Sequence, residues 1–143
     1  MRHVIYLLVF AFLNSSVHAQ DLSWQDANKQ SAALFDQGNF EQAAPLARQA
    51  ADLYPSQSTS YKAENHVQLI WNAVEMSLRA EGQQETAAFI TNAIDAIEAK
   101  GGDKEIRIAP LAAEAAKMYR NLAELDKADR LYRQACSLAD EVL

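Results

Sequence analysis

The residue types that most often carry catalysis are scarce in this chain of 143 residues. Beyond the first nineteen residues it holds one histidine, His66, and one cysteine, Cys136. A zinc site of the usual kind takes several His or Cys ligands, and a nucleophilic thiol needs a base within hydrogen-bond reach. No phosphate-binding glycine loop and no nucleophile motif accompanies the two residues. The sequence therefore predicts no metal site, no cofactor and no catalytic residue.

Each of these two residues has an ordinary structural role open to it. We expect His66 to be a partly exposed residue near the start of a helix. We expect Cys136 to be a small buried side chain in the last helix, with an intermolecular disulfide as the alternative.

Side chains suited to peptide binding recur at fixed spacings. Asn28 and Asn72 lie 44 residues apart, and Arg79 and Arg120 lie 41 residues apart. An amide can pair with an extended peptide backbone, and an arginine can hold a carboxylate through two hydrogen bonds. The predicted groove residues are Asn28, Asn72, Met76, Arg79, Lys117 and Arg120. The alternative is that the two arginines only accompany helix C-termini, where the helix dipole favours cations.

The last predicted helix carries a broad apolar stripe at the end of the chain. Its Leu131, Leu138 and Val142 are candidates for self-association, because a stack of helices that ends on an apolar face needs a partner or a second copy. The alternative is that the stripe packs onto the preceding helix.

Composition indicates a single all-α domain. Half of the residues are hydrophobic and 22% are charged, with only 4 Gly and 3 Pro to break helices. The net charge is −6 and no basic run is present, so we expect neither nucleic acid nor an anionic membrane surface as a partner.

Residues 1–19 have the pattern of a cleaved secretory signal peptide. Arg2 supplies the positive start, Val4 to Leu13 are apolar, and Val17-His18-Ala19 is a small-residue cleavage pattern. Ten apolar residues span only about 15 Å as a helix, too short for a membrane anchor. We expect cleavage after Ala19, no membrane insertion of the mature chain, and export to the bacterial periplasm or secretion.

Turn signals divide the remaining single domain, residues 20–143, into six helices. They separate predicted helices at about 22–37, 40–54, 60–80, 84–99, 103–121 and 125–142. Asp21 or Ser23, Asn39 and Asp103 are candidate N-terminal caps. Pro45 lies near the start of the second helix, where we expect a local kink. The helices pair into hairpins at about 22–55, 60–99 and 103–142.

The three hairpins repeat one another in sequence. Gly38, Gly82 and Ala123 occupy the same place before the second helix of each pair, and Ala43, Ala87 and Ala128 follow at the same distance. A registry of this length is typical of stacked helical repeats, in which small residues let two helices approach closely.

The first unit resembles the tetratricopeptide repeat, with offsets closer to the long repeats of kinesin light chains. The matching residues are Leu34, Gly38, Phe40, Glu41, Ala43, Ala50 and Pro55. The resemblance implies a right-handed solenoid of antiparallel hairpins, a proline that ends the second helix, and a concave groove formed by the first helix of each pair. Ala123 in place of the turn glycine and the missing proline of the second unit depart from the pattern.

These observations predict an exported interaction module that binds a protein or peptide partner in its groove and is not an enzyme. Two alternatives are a structural subunit of an envelope complex that forms a homo-oligomer through its last hairpin, and an accessory subunit of an envelope enzyme. The resemblance names no partner.

Overall fold

A computed structural model describes residues 22–102 and 105–140, and this part of the chain is all-helical, without strands. The predicted fold class, all-α, is confirmed. The helices are α1 (Trp24–Asp36), α2 (Phe40–Gln57), α3 (Ala63–Ala80), α4 (Gln83–Ile97), α5 (Ile108–Asn121) and α6 (Leu125–Asp140). None of them is both long and apolar enough to cross a membrane. The predicted signal peptide, residues 1–19, lies outside the described residues.

The predicted cap of α1 is confirmed, whereas that of α2 is not. The Ser23 hydroxyl accepts a hydrogen bond from the backbone N–H of Asp26 at 3.1 Å. Asn39 precedes α2 but makes no side-chain capping bond, and its backbone N–H donates to the Leu34 carbonyl. The other two candidates, Asp21 and Asp103, lie outside the described residues.

The prediction that Pro55 ends α2 is wrong, since the helix continues to Gln57. A proline has no N–H, so Pro55 leaves the carbonyl of Ala51, four residues earlier, without its helical donor. That carbonyl is hydrogen bonded instead by the imidazole of His66 on α3. A side chain from the next helix thus meets the carbonyl that the proline leaves without a helical donor.

The loop before α5 is longer than predicted. A π-helical turn, Glu98–Gly102, follows α4 and is interrupted at Gly101, whose φ is +82°. α5 then begins at Ile108, with Arg107 before it, and not at position 103. α3 likewise begins three residues later than expected, at Ala63.

The residues at the three aligned turn positions all have positive φ, and two of the three turns share the same hydrogen bonds. Gly38, Gly82 and Ala123 all have positive φ, at 76°, 100° and 61°. After α1, Asn39 N–H donates to the carbonyl five residues back and Gly38 N–H to the carbonyl three residues back; Glu124 and Ala123 repeat this pair of bonds after α5. Both turns are Schellman motifs. The turn of the first unit is therefore repeated in the third, whereas in the second unit Gly82 has a ψ of −170° and its own N–H donates five residues back, to the Ser77 carbonyl.

Each helix packs chiefly on its neighbours in the chain, and the closeness of packing follows side-chain size. α2 lies close to both α1 and α3, and α5 lies close to α6, whereas α3 and α4 approach less closely. α2 buries mostly alanines: Ala43, Ala44, Ala47, Ala50 and Ala51. α4 buries larger side chains, including Phe89, Ile90, Ile94 and Ile97. Because interaxial distance depends on the side chains at the contact, alanines allow the closer approach.

A half-buried arginine ties α2 to the end of α3 and to α4. Arg48 forms an ion pair with Glu81, donates from Nε to the Ser77 hydroxyl at 3.1 Å, and lies 5.7 Å from the centroid of the Phe89 ring. Burial lowers the pKa of Arg48, and the negative charges of Asp52 and Glu85 oppose that shift. The side chain thus links three helices through charge, a hydrogen bond and cation–π contact.

Candidate functional site

His66 lies at the start of α3, as predicted, but it is buried and not partly exposed, with 1% of its surface accessible. The Tyr61 hydroxyl lies 3.1 Å from Nδ1, and the other ring nitrogen serves the Ala51 carbonyl. Since a carbonyl only accepts, the nitrogen facing Ala51 carries the hydrogen and Nδ1 accepts from Tyr61. Burial lowers the pKa of His66 to about 4, so the ring is neutral at physiological pH. Both nitrogens are occupied by structural bonds.

The aromatic neighbours of His66 complete a structural cluster between α1, α2 and α3. Tyr54 is 1% exposed, accepts at its hydroxyl from the Lys62 N–H at 3.1 Å, and meets Trp24 edge to face at 5.0 Å. Burial, followed by the charges of Tyr54 and Glu105, raises the pKa of Tyr61 to about 12. Through these contacts the aromatic side chains hold three helices together.

Cys136 is exposed on α6, so the expectation of a buried residue is wrong. The turn of α6 puts Ala135 partly against the core and Cys136 outward. Within residues 22–102 and 105–140, no three His, Cys, Asp or Glu side chains lie together in a way that could hold a metal ion.

Two of the three predicted basic residues of the groove, Arg79 and Lys117, contact other side chains. Arg79 pairs with Glu75 at 3.2 Å, and its guanidinium carbon lies 5.2 and 5.1 Å from the ring centroids of Phe35 and Phe40. It therefore reaches back to the turn between α1 and α2. Lys117 pairs with Glu114 at 3.7 Å. Arg120 is exposed in the last turn of α5. This position agrees with the alternative that the arginine only accompanies a helix C-terminus, where the helix dipole favours a cation.

The other three predicted groove residues take different positions. Asn28 is half-buried on α1, and its backbone carbonyl accepts from the Ser31 hydroxyl at 2.8 Å. Met76 is 7% exposed and belongs to the core, so it is not a groove residue. Asn72 is half-buried and lines an open cleft on the surface of α3.

Two of the three predicted self-association residues, Leu131 and Leu138, are buried. Leu131 and Leu138 are 1% and 7% exposed, because they pack into the core that α6 shares with α5. Val142 lies outside the described residues. The alternative, in which the stripe of α6 packs onto the preceding helix, accounts for the two leucines.

An open cleft lies between α3 and the start of α5, and we call it the α3/α5 cleft. It consists of two hollows of about 480 and 340 Å³ that share Gln68 and Trp71. α3 contributes Glu64, Asn65, Val67, Gln68, Trp71, Asn72, Val74, Glu75 and Leu78, and the other wall has Arg107, Pro110 and Glu114. Because both hollows include Trp71, the half-buried indole lies at the middle of the cleft.

Three amide side chains follow one edge of this cleft. Asn65, Gln68 and Asn72 recur every three to four residues along α3, and this spacing places them in one row. Gln68 Nε2 donates to Asn72 Oδ1 at 3.2 Å. That bond uses one donor of the first amide and one acceptor of the second, so each keeps further hydrogen-bonding capacity. The row can bind the N–H and C=O groups of an extended peptide.

The charged residues of the cleft are mainly carboxylates. Glu64, Glu75 and Glu114 line it, against a single lining cation, Arg107. Arg107 lies closer to Glu105, at 2.9 Å, than to Glu64, at 3.6 Å. The lining residues of this cleft thus include more carboxylates than cations, around an aromatic centre.

Trp71 and its polar neighbours were missed as a site because Trp71 and Leu78 fit the apolar periodicity of α3. The structure buries Val67, Ile70 and Val74 and leaves Trp71 half-buried and Leu78 39% exposed. The sequence did contain a signal for this site. Polar residues of α3 recur at helical spacing beside Trp71, and a large aromatic side chain at the edge of a polar face is often part of a binding surface.

Comparisons with models of protein families, with curated proteins and with solved structures found no match for this chain. The resemblance to the tetratricopeptide repeat therefore stays a prediction.

Proposed function

We propose that this chain is an exported helical-repeat module, and that its α3/α5 cleft binds a peptide segment of a partner protein without catalysing a reaction. The observation that carries the proposal is the cleft itself, with Trp71 at its centre and an amide row along its edge. A half-buried aromatic ring beside convergent polar groups is the usual composition of a binding site.

The arrangement of the helices as three hairpins in a solenoid belongs to the same proposal. It is supported by the packing of each helix on its chain neighbours and by the matching turns at Gly38 and Ala123. In such a stack, α1, α3 and α5 form one layer, and the cleft lies within that layer.

A library of displayed random peptides tests the binding function. We expect selection on the intact mature chain to enrich peptides whose binding is weakened at least about tenfold by Trp71→Ala. Leu125→Ala is the matched control, because Leu125 is 64% exposed and lies on α6, away from the cleft. Gln68→Ala provides a second cleft variant without loss of apolar packing.

Two results would contradict the binding function. One is a selection that enriches no peptide sequence. The other is an enriched peptide that binds wild type, Trp71→Ala and Gln68→Ala equally well.

The exported location has its own test. The intact mass of the protein recovered from outside the cytoplasmic membrane is expected to correspond to a chain that begins at Gln20. Recovery of a chain that retains residues 1–19 would contradict cleavage after Ala19.

A further inference from the structure

We infer that the occupant of the α3/α5 cleft is a cationic segment: an extended peptide that places an apolar side chain against Trp71 and a Lys or Arg beside it. This inference rests on the proposed function and specifies its ligand. The charge of the lining is the first reason, since three carboxylates, Glu64, Glu75 and Glu114, surround a cleft that contains one guanidinium.

Each of these carboxylates has a cation partner, and the geometry of the pairs allows a ligand cation to take the place of that partner. Arg79 is directed toward Phe35 and Phe40, and neither it nor Lys117 lines the cleft. The ion pairs of Glu64, Glu75 and Glu114 are all partly exposed. Exposed pairs of this kind contribute little stability, so a ligand cation can replace the partner of Glu75 or Glu114 at small cost.

An anionic segment finds no equivalent partner here. Arg107 is the only cation among the lining residues of the two hollows, and it already contacts the carboxylates of Glu105 and Glu64. The excess of acidic residues in the whole chain adds repulsion of the same sign.

The centre and the edge of the cleft favour a peptide over an isolated cation. Trp71 offers both an apolar surface and a ring face that attracts cations. The row of Asn65, Gln68 and Asn72 matches backbone groups, which a small cation lacks. Together these groups favour a segment in which apolar and basic side chains are adjacent.

Matched peptide pools test the inference. Short capped peptides carry a central Leu or Phe flanked by Lys, by Glu or by Gln, and binding is followed by the fluorescence of Trp71 in a Trp24→Phe chain, where Trp71 is the single tryptophan. Calorimetry with the unaltered chain repeats the measurement. We expect the Lys pool to bind about tenfold more tightly than the Glu pool, with the advantage shrinking as salt is added.

Glu114→Gln provides the critical variant, and Glu124→Gln is its matched control. Both glutamates pair with a lysine three residues later, but only Glu114 lines the cleft. The preference for Lys should fall in Glu114→Gln and persist in Glu124→Gln. A Glu pool that binds as tightly as the Lys pool overturns the cationic ligand and leaves peptide binding intact. Absence of binding by every pool overturns peptide binding itself.

Discussion

α2 and α4 both pack between neighbouring helices, but they bury different kinds of side chain. α2 buries a row of alanines and lies close to its neighbours. Polar and aromatic groups at the edges of this surface then fix the position of the neighbouring helices: Arg48, Tyr54 and the Ala51 carbonyl. α4 fills a wider gap with isoleucine and phenylalanine. The first surface depends on shape and hydrogen bonds, and the second depends on buried volume.

Ile94→Ala should reveal the dependence of α4 on volume. Ile94 is 1% exposed, and its truncation removes buried methylene groups and leaves a cavity. We expect a loss of about 4 kcal/mol in the free energy of unfolding, measured by urea denaturation at neutral pH. Leu125→Ala, at an exposed position, should change it by less than about 0.5 kcal/mol. Equal effects of the two changes would refute the contrast.

Acid should lower the free energy of unfolding through His66, which packs against α2. Its pKa rises from about 4 in the folded chain to 6.5 in the unfolded chain, so the unfolded chain binds more protons between these values. The contribution of the neutral His66 to the free energy of unfolding is fully present above pH 6.5 and is lost as pH falls. At pH 4 we expect the free energy of unfolding to be lower by about 3 kcal/mol. Urea denaturation across this range measures it.

His66→Gln is the control for the acid prediction, because it removes the titrating group. Asp52 acts in the opposite sense: burial raises its pKa, so it contributes stability at low pH that is lost as pH rises. Because the His66→Gln chain lacks the titrating imidazole, it should not be destabilised by acid between pH 6.5 and 4 as the wild-type chain is. A His66→Gln chain with the wild-type dependence on pH would assign the effect to other groups.

Ala50→Ile tests the close approach of α2 directly. Ala50 lies 44 residues before Ile94, at the equivalent place in the repeat, and is completely buried. We expect the larger side chain to cost about 2 kcal/mol in thermal or urea unfolding, because α2 has no space for it. Unchanged stability would mean that the two surfaces tolerate the same side chains.

The smallest expected effect is at the turns. Ala123 has a φ of 61°, which glycine adopts without strain, so Ala123→Gly should stabilise the chain by about 1 kcal/mol. Gly38→Ala, at the matching turn after α1, should destabilise it by a similar amount. Melting temperatures of the two variants should move in opposite directions, and a shift of the same sign in both would contradict the shared turn geometry.

The local features of the fold were predictable from the sequence. Helix formers separated by glycine predict the six helices, and the alignment of Gly38 with Ala123 anticipated two turns with the same hydrogen bonds. The course of α2 past Pro55 was not predictable from the local pattern, and the interaction of the Ala51 carbonyl with His66 brings together residues from two helices. The effect of a proline is decided by whether another donor reaches the carbonyl it leaves without one.

The candidate site was less predictable than the fold. Helical spacing placed Arg79 beside Asn72, but its long side chain extends to Phe35 and Phe40. Trp71 satisfies the apolar pattern of α3, so its position in a cleft becomes apparent only when α5 is placed next to it. Sites formed between helices depend on side-chain direction and relative placement, which a periodic pattern does not contain.

The packing of each helix on its chain neighbours has a kinetic consequence. Contacts between residues close in sequence form with little loss of chain entropy, so folding should take microseconds to milliseconds. Unfolding can begin at either end, because removing a terminal helix disturbs mainly the helix beside it. Amide hydrogens of α3 and α4 should therefore exchange with solvent more slowly than those of α1 and α6.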